Sequence, residues 1–138
     1  MPQVFCAVKA LIQKDGNFLF IKQKVGDAFI WELPGGKVKF GETPYDTLHR
    51  EVKEEIGNEI EIIKPIGMWW FIPPTNQEIQ VVCNTFLCRI KNTEINLENN
   101  PCDEDNIKEY KWLSREDFLN GKFNAENSLK ELIKNFDI

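Results

Sequence analysis

Three glutamates, Glu51, Glu54 and Glu55, stand at i, i+3 and i+4 of a segment with helical periodicity. On a helix that spacing puts all three carboxylates on one face, nearly opposite the apolar stripe. Like charges so placed repel, at a cost to an isolated helix of about 0.2 to 0.5 kcal/mol per pair. A solvated face would intersperse lysine or arginine to relieve the repulsion, and a divalent cation relieves it better. Carboxylate oxygens are hard ligands suited to Mg2+ or Mn2+, ions that dehydrate reluctantly and share their sites with water and substrate phosphates. The plainer reading is that residues 50–55, Arg-Glu-Val-Lys-Glu-Glu, form a charged helix face and nothing more, since charge runs are common.

The element that must carry these groups is the best-defined helix in the sequence, predicted over about residues 44–56. Thr43 can N-cap it, Pro44 suits the first helical position, and Asp46 completes a Thr-x-x-Asp variant of the capping box. Tyr45, Leu48, Val52 and Ile56 recur at helical spacing, and Gly57 can take the left-handed conformation that ends the helix. Upstream, apolar runs at 4–12 and 18–23 flank the turn cluster Asp15-Gly16-Asn17 and predict a hairpin. Residues 29–33 form a short stretch that runs into Pro34-Gly35-Gly36, a breaker, so a loop is expected next. Downstream come strand-like runs at 60–63, 67–72 and 79–90, the last two joined through Pro73-Pro74-Thr75-Asn76. Residues 92–106 read as an acidic surface loop, 109–113 as a closing strand, 114–117 as a capped short helix, and 128–136 as a C-terminal helix. Strands around one long helix, with helical pieces at the end, predict an α/β architecture with a mixed central sheet.

The segment 36–58 resembles the Nudix box, G-x5-E-x7-R-E-U-x-E-E-x-G-U with U a bulky aliphatic residue. Its fixed positions are met by Gly36, Glu42, Arg50, Glu51, Val52, Glu54, Glu55 and Gly57, and Asn58 stands where the family carries an aliphatic side chain. The likeness extends further, to residues 31–37 (Trp-Glu-Leu-Pro-Gly-Gly-Lys) before the box and 110–114 (Tyr-Lys-Trp-Leu-Ser) after the acidic loop, both similar to MutT-like members. The resemblance implies an α/β/α sandwich and a hydrolase that cleaves a nucleoside diphosphate linked to another moiety, with Mg2+ or Mn2+. It implies further that Glu51, Glu54 and Glu55 ligate metal together with the carbonyl of Gly35, while Arg50 and Glu42 orient them. For the proton of the attacking water it implies Glu51 first, and as an alternative a loop carboxylate, for which Glu104 is the candidate.

Length and composition agree with such an enzyme. At 138 residues, with 42% hydrophobic and 28% charged, the chain is expected to fold as a single domain over residues 1–138. With 17 Lys and Arg against 22 Asp and Glu, the net charge of -5 has the wrong sign for wrapping polymeric nucleic acid. Cys6, Cys83, Cys88 and Cys102 lack C-x-x-C spacing and read as buried thiols, and with one histidine, His49, a Cys/His zinc site has little support. No signal peptide or membrane span is visible, so a cytoplasmic protein with no membrane partner is expected. The sequence does not specify the oligomeric state.

The substrate cues point two ways. Residues 123–127, Phe-Asn-Ala-Glu-Asn, resemble the MutT segment that ends in a purine-reading asparagine, which makes Asn127 the candidate base reader and favours nucleoside triphosphates. Pro73 lies where members that hydrolyse ADP-ribose tend to carry a proline, although turn chemistry alone explains it. A MutT-like nucleoside triphosphate pyrophosphohydrolase therefore ranks first. An ADP-ribose or other nucleotide-sugar pyrophosphatase ranks second, and a non-catalytic Nudix-fold module that senses nucleotides or binds a partner third. Trp31 and Phe29, just before the box, are candidates for stacking on a base, and Lys24 for meeting phosphate. Of Trp69, Trp70 and Phe71, alternation sends at least one ring to the core and at least one the other way.

Overall fold

A computed structural model of the protein describes residues 1–92, 94–97 and 107–137. Among the described residues seven strands form one mixed sheet: β1 (Gln3–Lys14), β2 (Asn17–Val25), β3 (Ala28–Glu32), β4 (Gly35–Lys37), β5 (Ile60–Phe71), β6 (Ile79–Ile90) and β7 (Ile107–Leu113). The helices are α1 (Pro44–Ile56), α2 (Arg115–Asn120) and α3 (Asn127–Asn135). None of the described helices is long and apolar enough to cross a membrane.

The register of the sheet creates the site. Asp15 and Gly16 both have positive φ, 52° and 80°, the pair that a two-residue hairpin turn requires. Yet β1 and β2 pair only beside that turn, at Gln13 with Phe18 and Lys14 with Asn17. Beyond it the two strands fork. β1 is bonded on one edge to β6, in parallel from Gln3–Ile79 to Gln13–Arg89, and β2 pairs with β7. The edges freed by the fork are taken by β4, antiparallel to β1, and β3, antiparallel to β2. The glycines expected in a loop thus lie in a short strand, and sterics explain why. At Gly35, where φ is 143°, a Cβ would come 2.0 Å from the Val8 carbonyl oxygen, so only glycine permits this approach to β1.

The helices cover both faces of this sheet, giving the α/β/α layering that the resemblance implies. Leu48, Val52 and Ile56 of α1 pack on Val8, Ala10, Ile12, Leu19 and Ile21. On the other face Phe118, Leu129, Ile133 and Phe136 pack on Leu11, Phe18, Phe20, Trp69 and Leu87. The predicted caps form as expected: Thr43 accepts from the Asp46 amide at 3.1 Å, and Gly57 closes α1 with φ 66°. Ser114 likewise caps α2 through the Asp117 amide.

Two strand runs expected to be separate, 60–63 and 67–72, are one strand, β5, with register shifts between Ile62 and Lys64 and between Pro65 and Gly67. β5 is an outer strand, where proline removes no ladder bond that a second neighbour needs. Asn58, the departure from the aliphatic pattern, is buried all the same. Its amide donates to the Asn92 and Glu94 carbonyl oxygens at 3.0 and 2.6 Å, so hydrogen bonds replace the apolar packing. Of the cysteines, Cys83 and Cys88 are buried, with burial pushing each thiol up to about 12, whereas Cys6 is exposed. The expectation for Cys6 fails because it lies toward the exposed start of β1, and Cys102 falls outside the described residues.

Candidate active site

The fork between β1 and β2 opens a cleft of about 570 Å3, bounded by β1, β2, β3, β4, one end of α1 and the approach to α3. A more open groove of about 680 Å3 beside Tyr45, His49 and residues 60–65 lacks the paired carboxylates and glycines found here.

One wall is built by α1. Glu55, 1% exposed, accepts the Gly35 amide at 2.7 Å and so ties the helix to β4. Glu51 lies against Gly36, where a Cβ would sit 2.5 Å from the carboxyl carbon of Glu51. Glycine at 36 is what allows the carboxylate into the cleft. Arg50 organises the remainder: Nε and Nη2 donate to the two oxygens of Glu42 at 2.9 and 3.0 Å, and Nη1 reaches Glu51 at 3.1 Å and Glu54 at 3.3 Å. Thr47 adds a hydroxyl donor to Glu42 at 3.0 Å. The Arg50 hydrogen bonds, foremost, lower the Glu42 pKa to about 2, and Glu42 in return raises that of Arg50. The guanidinium thereby offsets the repulsion among the glutamates that the sequence left unrelieved.

Among the described residues no three acidic, imidazole or thiol side chains converge as a ready-made metal cluster. The groups that could hold an ion are nonetheless all hard oxygen: Glu51 and Glu55 on the cleft lining, the carbonyl of the lining residue Gly35, and Glu54, tied to Glu51 through Arg50, with Gly36 leaving the Glu51 carboxyl the room a side chain would take. That chemistry fits Mg2+ or Mn2+.

The other wall comes from three separate elements. Lys9 of β1 donates to Glu32 of β3 at 3.1 Å, with side chains only 6% and 10% exposed. Burial favours a neutral amine at Lys9, but the Glu32 charge and hydrogen bond, helped by Glu55, outweigh it and raise the pKa. Glu126, just ahead of α3, lines the cleft nearby. Partial burial first, and the Glu32 charge second, push its carboxyl upward. Lys37, Lys39, Gln23, Phe71, Pro73 and Pro74 complete much of the lining.

Of the predicted residues, Gly35, Glu51 and Glu55 meet in the cleft, with Glu54 and Arg50 joined to them by the ion-pair network. Trp31 is not available for stacking. It is buried in the core and meets Phe123 edge to face at 5.5 Å, while its β3 neighbours Ile30 and Glu32 line the cleft. Phe29 is 43% exposed under the Lys22 ammonium, 4.8 Å from the ring centre. Neither Phe29 nor Lys24 contributes to the lining, and Gln23 of the same strand does. Asn127 is exposed and begins α3 outside the cleft, because the helix starts one residue after the chain leaves it, at Glu126. Glu104 lies outside the described residues. Of the three aromatic residues at 69–71, Trp69 is buried, Trp70 is exposed and Phe71 borders the cleft. Lys9, Glu32 and Glu126 were not singled out in the sequence. The available signal was a charge interrupting an apolar run, in Ala-Val-Lys-Ala-Leu and Ile-Trp-Glu-Leu.

A NUDIX domain family model matches residues 3–136. An RNA pyrophosphohydrolase of Helicobacter pylori is 33% identical over 109 residues, covering 73% of this chain and 69% of that protein. The nucleoside triphosphatase NudI of Salmonella arizonae is 30% identical over 120 residues, covering 78% and 80%. Among solved structures, a MutT protein from Methanosarcina mazei superimposes with a TM-score of 0.80 at 25% identity, covering 96% of this chain and 92% of that one.

Proposed function

Because the chain belongs to the Nudix family and is a hydrolase of phosphorus-containing anhydrides, we propose that it is a Mg2+-dependent, MutT-like nucleoside triphosphate pyrophosphohydrolase. The observation that carries this reading is the seating of Glu51 and Glu55 against Gly36 and Gly35, with Arg50 holding Glu51 and Glu54 in register. Glu51, Glu54, Glu55 and the Gly35 carbonyl would hold Mg2+, for which Mn2+ can substitute. The ion, when bound, screens the phosphate oxygens and acidifies the attacking water.

The chain's own groups do the rest. Arg50 keeps the carboxylates in place without reaching substrate itself. Glu51, a hydrogen-bonded carboxylate that lines the cleft against Gly36, accepts the proton of the water. Lys37 and Lys39 on the lining meet the phosphate charge, and the buried Lys9–Glu32 pair keeps the opposite wall rigid. A net charge of -5 suits a small nucleotide better than a long RNA. The family match over residues 3–136 supports one domain. Free thiols at Cys6, Cys83 and Cys88 support the cytoplasm as the working compartment.

One observation favours the second reading, an ADP-ribose or other nucleotide-sugar pyrophosphatase: Pro73 and Pro74 line the cleft and could shape the far end of a longer substrate. A panel of nucleoside triphosphates and nucleoside diphosphate sugars, assayed for released phosphate species, separates the two. The expected outcome is pyrophosphate from triphosphates, abolished by chelation and restored by Mg2+. Faster cleavage of ADP-ribose would move the assignment to the second reading, and activity in full chelation would refute the metal ligands.

A further inference from the structure

Resting on the reading of the cleft as a nucleotide site, we propose that residues 124–128 form a strap that fixes the width of that cleft. Asn124 and Ser128 are its two anchors and act as positioning residues for the substrate. The need for a strap follows from the fork. β1 and β2 pair beside their turn, at Gln13–Phe18 and Lys14–Asn17, and then part into two branches, one carrying β6 and β5 and the other β3 and β7. Among the described residues β3 pairs with β2 alone and β5 with β6 alone. Each branch therefore ends in a strand whose second edge has backbone groups that no further strand satisfies.

The segment bonds to both of those edges. On β3, the Asn124 carbonyl accepts from the Trp31 amide at 2.8 Å, and the Asn124 side chain donates to the Phe29 carbonyl at 2.8 Å. One residue thus stands in for a strand partner. Ser128 does the same on β5, where its hydroxyl accepts from the Trp70 amide at 2.9 Å and donates to the Trp70 carbonyl at 2.5 Å. Packing backs each anchor. Phe123 meets Trp31 edge to face beside Asn124, and at Gly67 a Cβ would come 2.8 Å from Leu132, so glycine lets α3 lie close on β5.

The strands so tied carry the lining of the cleft: Ile30 and Glu32 on β3, and Phe71 on β5. The buried Lys9–Glu32 pair joins the branches inside the cleft, and the strap joins them along its α3 side. The groups proposed to hold the ion belong to α1 and β4, outside the strap. A change in width therefore alters the fit of the substrate and leaves ion binding alone. Two anchors in series also differ from two independent contacts. Once one is released, release of the other changes the width no further, whereas independent contacts add.

The test compares wild type, Ser128→Ala, Asn124→Ala, the double variant, and Ser128→Thr, which keeps the hydroxyl. Width is read as the distance between spin labels at Asp27→Cys and Ile72→Cys, both exposed positions, with Cys6 and Cys102 replaced by serine. Each alanine variant should broaden the distance distribution, and Ser128→Thr should restore it. KM for ATP and GTP should rise by about tenfold in Ser128→Ala, on the order of one lost hydrogen bond, while the calorimetric Kd for Mn2+ stays at the wild-type value. The double variant should match Ser128→Ala in KM, although its urea midpoint falls by the sum of the two single changes. A wild-type distance distribution in Ser128→Ala, KM effects that multiply in the double variant, or a weakened Mn2+ affinity overturns the strap. Broadened distributions with no hydrolysis of any triphosphate, wild type included, would overturn the proposed function and leave the strap standing.

Discussion

On one wall of the cleft Arg50, Glu51, Glu54 and Glu55 come from a single helix, and their mutual contacts are set by the spacing of that helix. The facing wall draws Lys9 from β1, Glu32 from β3 and Glu126 from the approach to α3, and only the strand fork brings them together. The first wall is partly solvated and internally compensated by one guanidinium. The second holds an ion pair almost entirely out of water. Charge on the α1 wall is there to be used by a ligand, while most of the charge on the other is consumed in the fold.

The sharpest way to break this contrast is to remove one partner of the buried pair. Lys9→Met leaves Glu32 charged and unpaired, and the expected loss is about 3 to 5 kcal/mol of stability, read as a drop in the urea midpoint. Lys9→Met combined with Glu32→Leu should recover most of that loss, since both charges are then gone and apolar volume remains. Failure of the double variant to recover would show that the pair holds the cleft by more than mutual neutralisation.

On the α1 wall the same kind of change should leave the fold alone and strike turnover. Glu54→Gln removes a charge from a half-exposed group whose partner Arg50 keeps Glu42 and Glu51. The midpoint should stay close to wild type, within about 0.5 kcal/mol. Loss of one charged oxygen ligand should lower kcat by about a hundredfold or more, equivalent to roughly 2.7 kcal/mol of transition-state stabilisation. Near-full turnover would remove Glu54 from the metal set.

The same difference explains what could be read from the sequence. α1 was legible to the residue, from the Thr43 cap to Gly57, because caps, apolar spacing and the glutamate face are all local. The seating of Gly35 and Gly36 was hidden: a breaker predicts a loop, and only the divergence of β1 from β2 makes room for β4 there. Trp31 and Asn127 were misplaced for a related reason. The face of a five-residue strand and the starting residue of a helix each depend on packing, here on Phe123 and on Glu126, so a shift of one position exchanges cleft for core or solvent. Lys9 and Glu32 lie 23 residues apart in the chain, and no local pattern announces their contact.

The smallest expected effect lies at the edge of the α1 wall and tests whether Arg50 compensates it as the geometry indicates. Glu42 is bonded to Arg50 through both oxygens, and its pKa is lowered from the ordinary 4.5 to about 2. A depressed acid contributes stability that is present above its unfolded value and is lost as pH falls through the folded one. Wild type should therefore be more stable than Glu42→Gln at neutral pH, by a modest margin because the group meets solvent. As the pH is lowered from 4.5 toward 2 the two urea midpoints should converge, because wild type then carries a protonated Glu42 that no longer attracts the guanidinium. A Glu42→Gln gap that does not change between pH 7 and pH 2 would mean that the Glu42–Arg50 contact acts through shape and hydrogen bonding alone, and that Arg50 is held in register by Glu51 and Glu54.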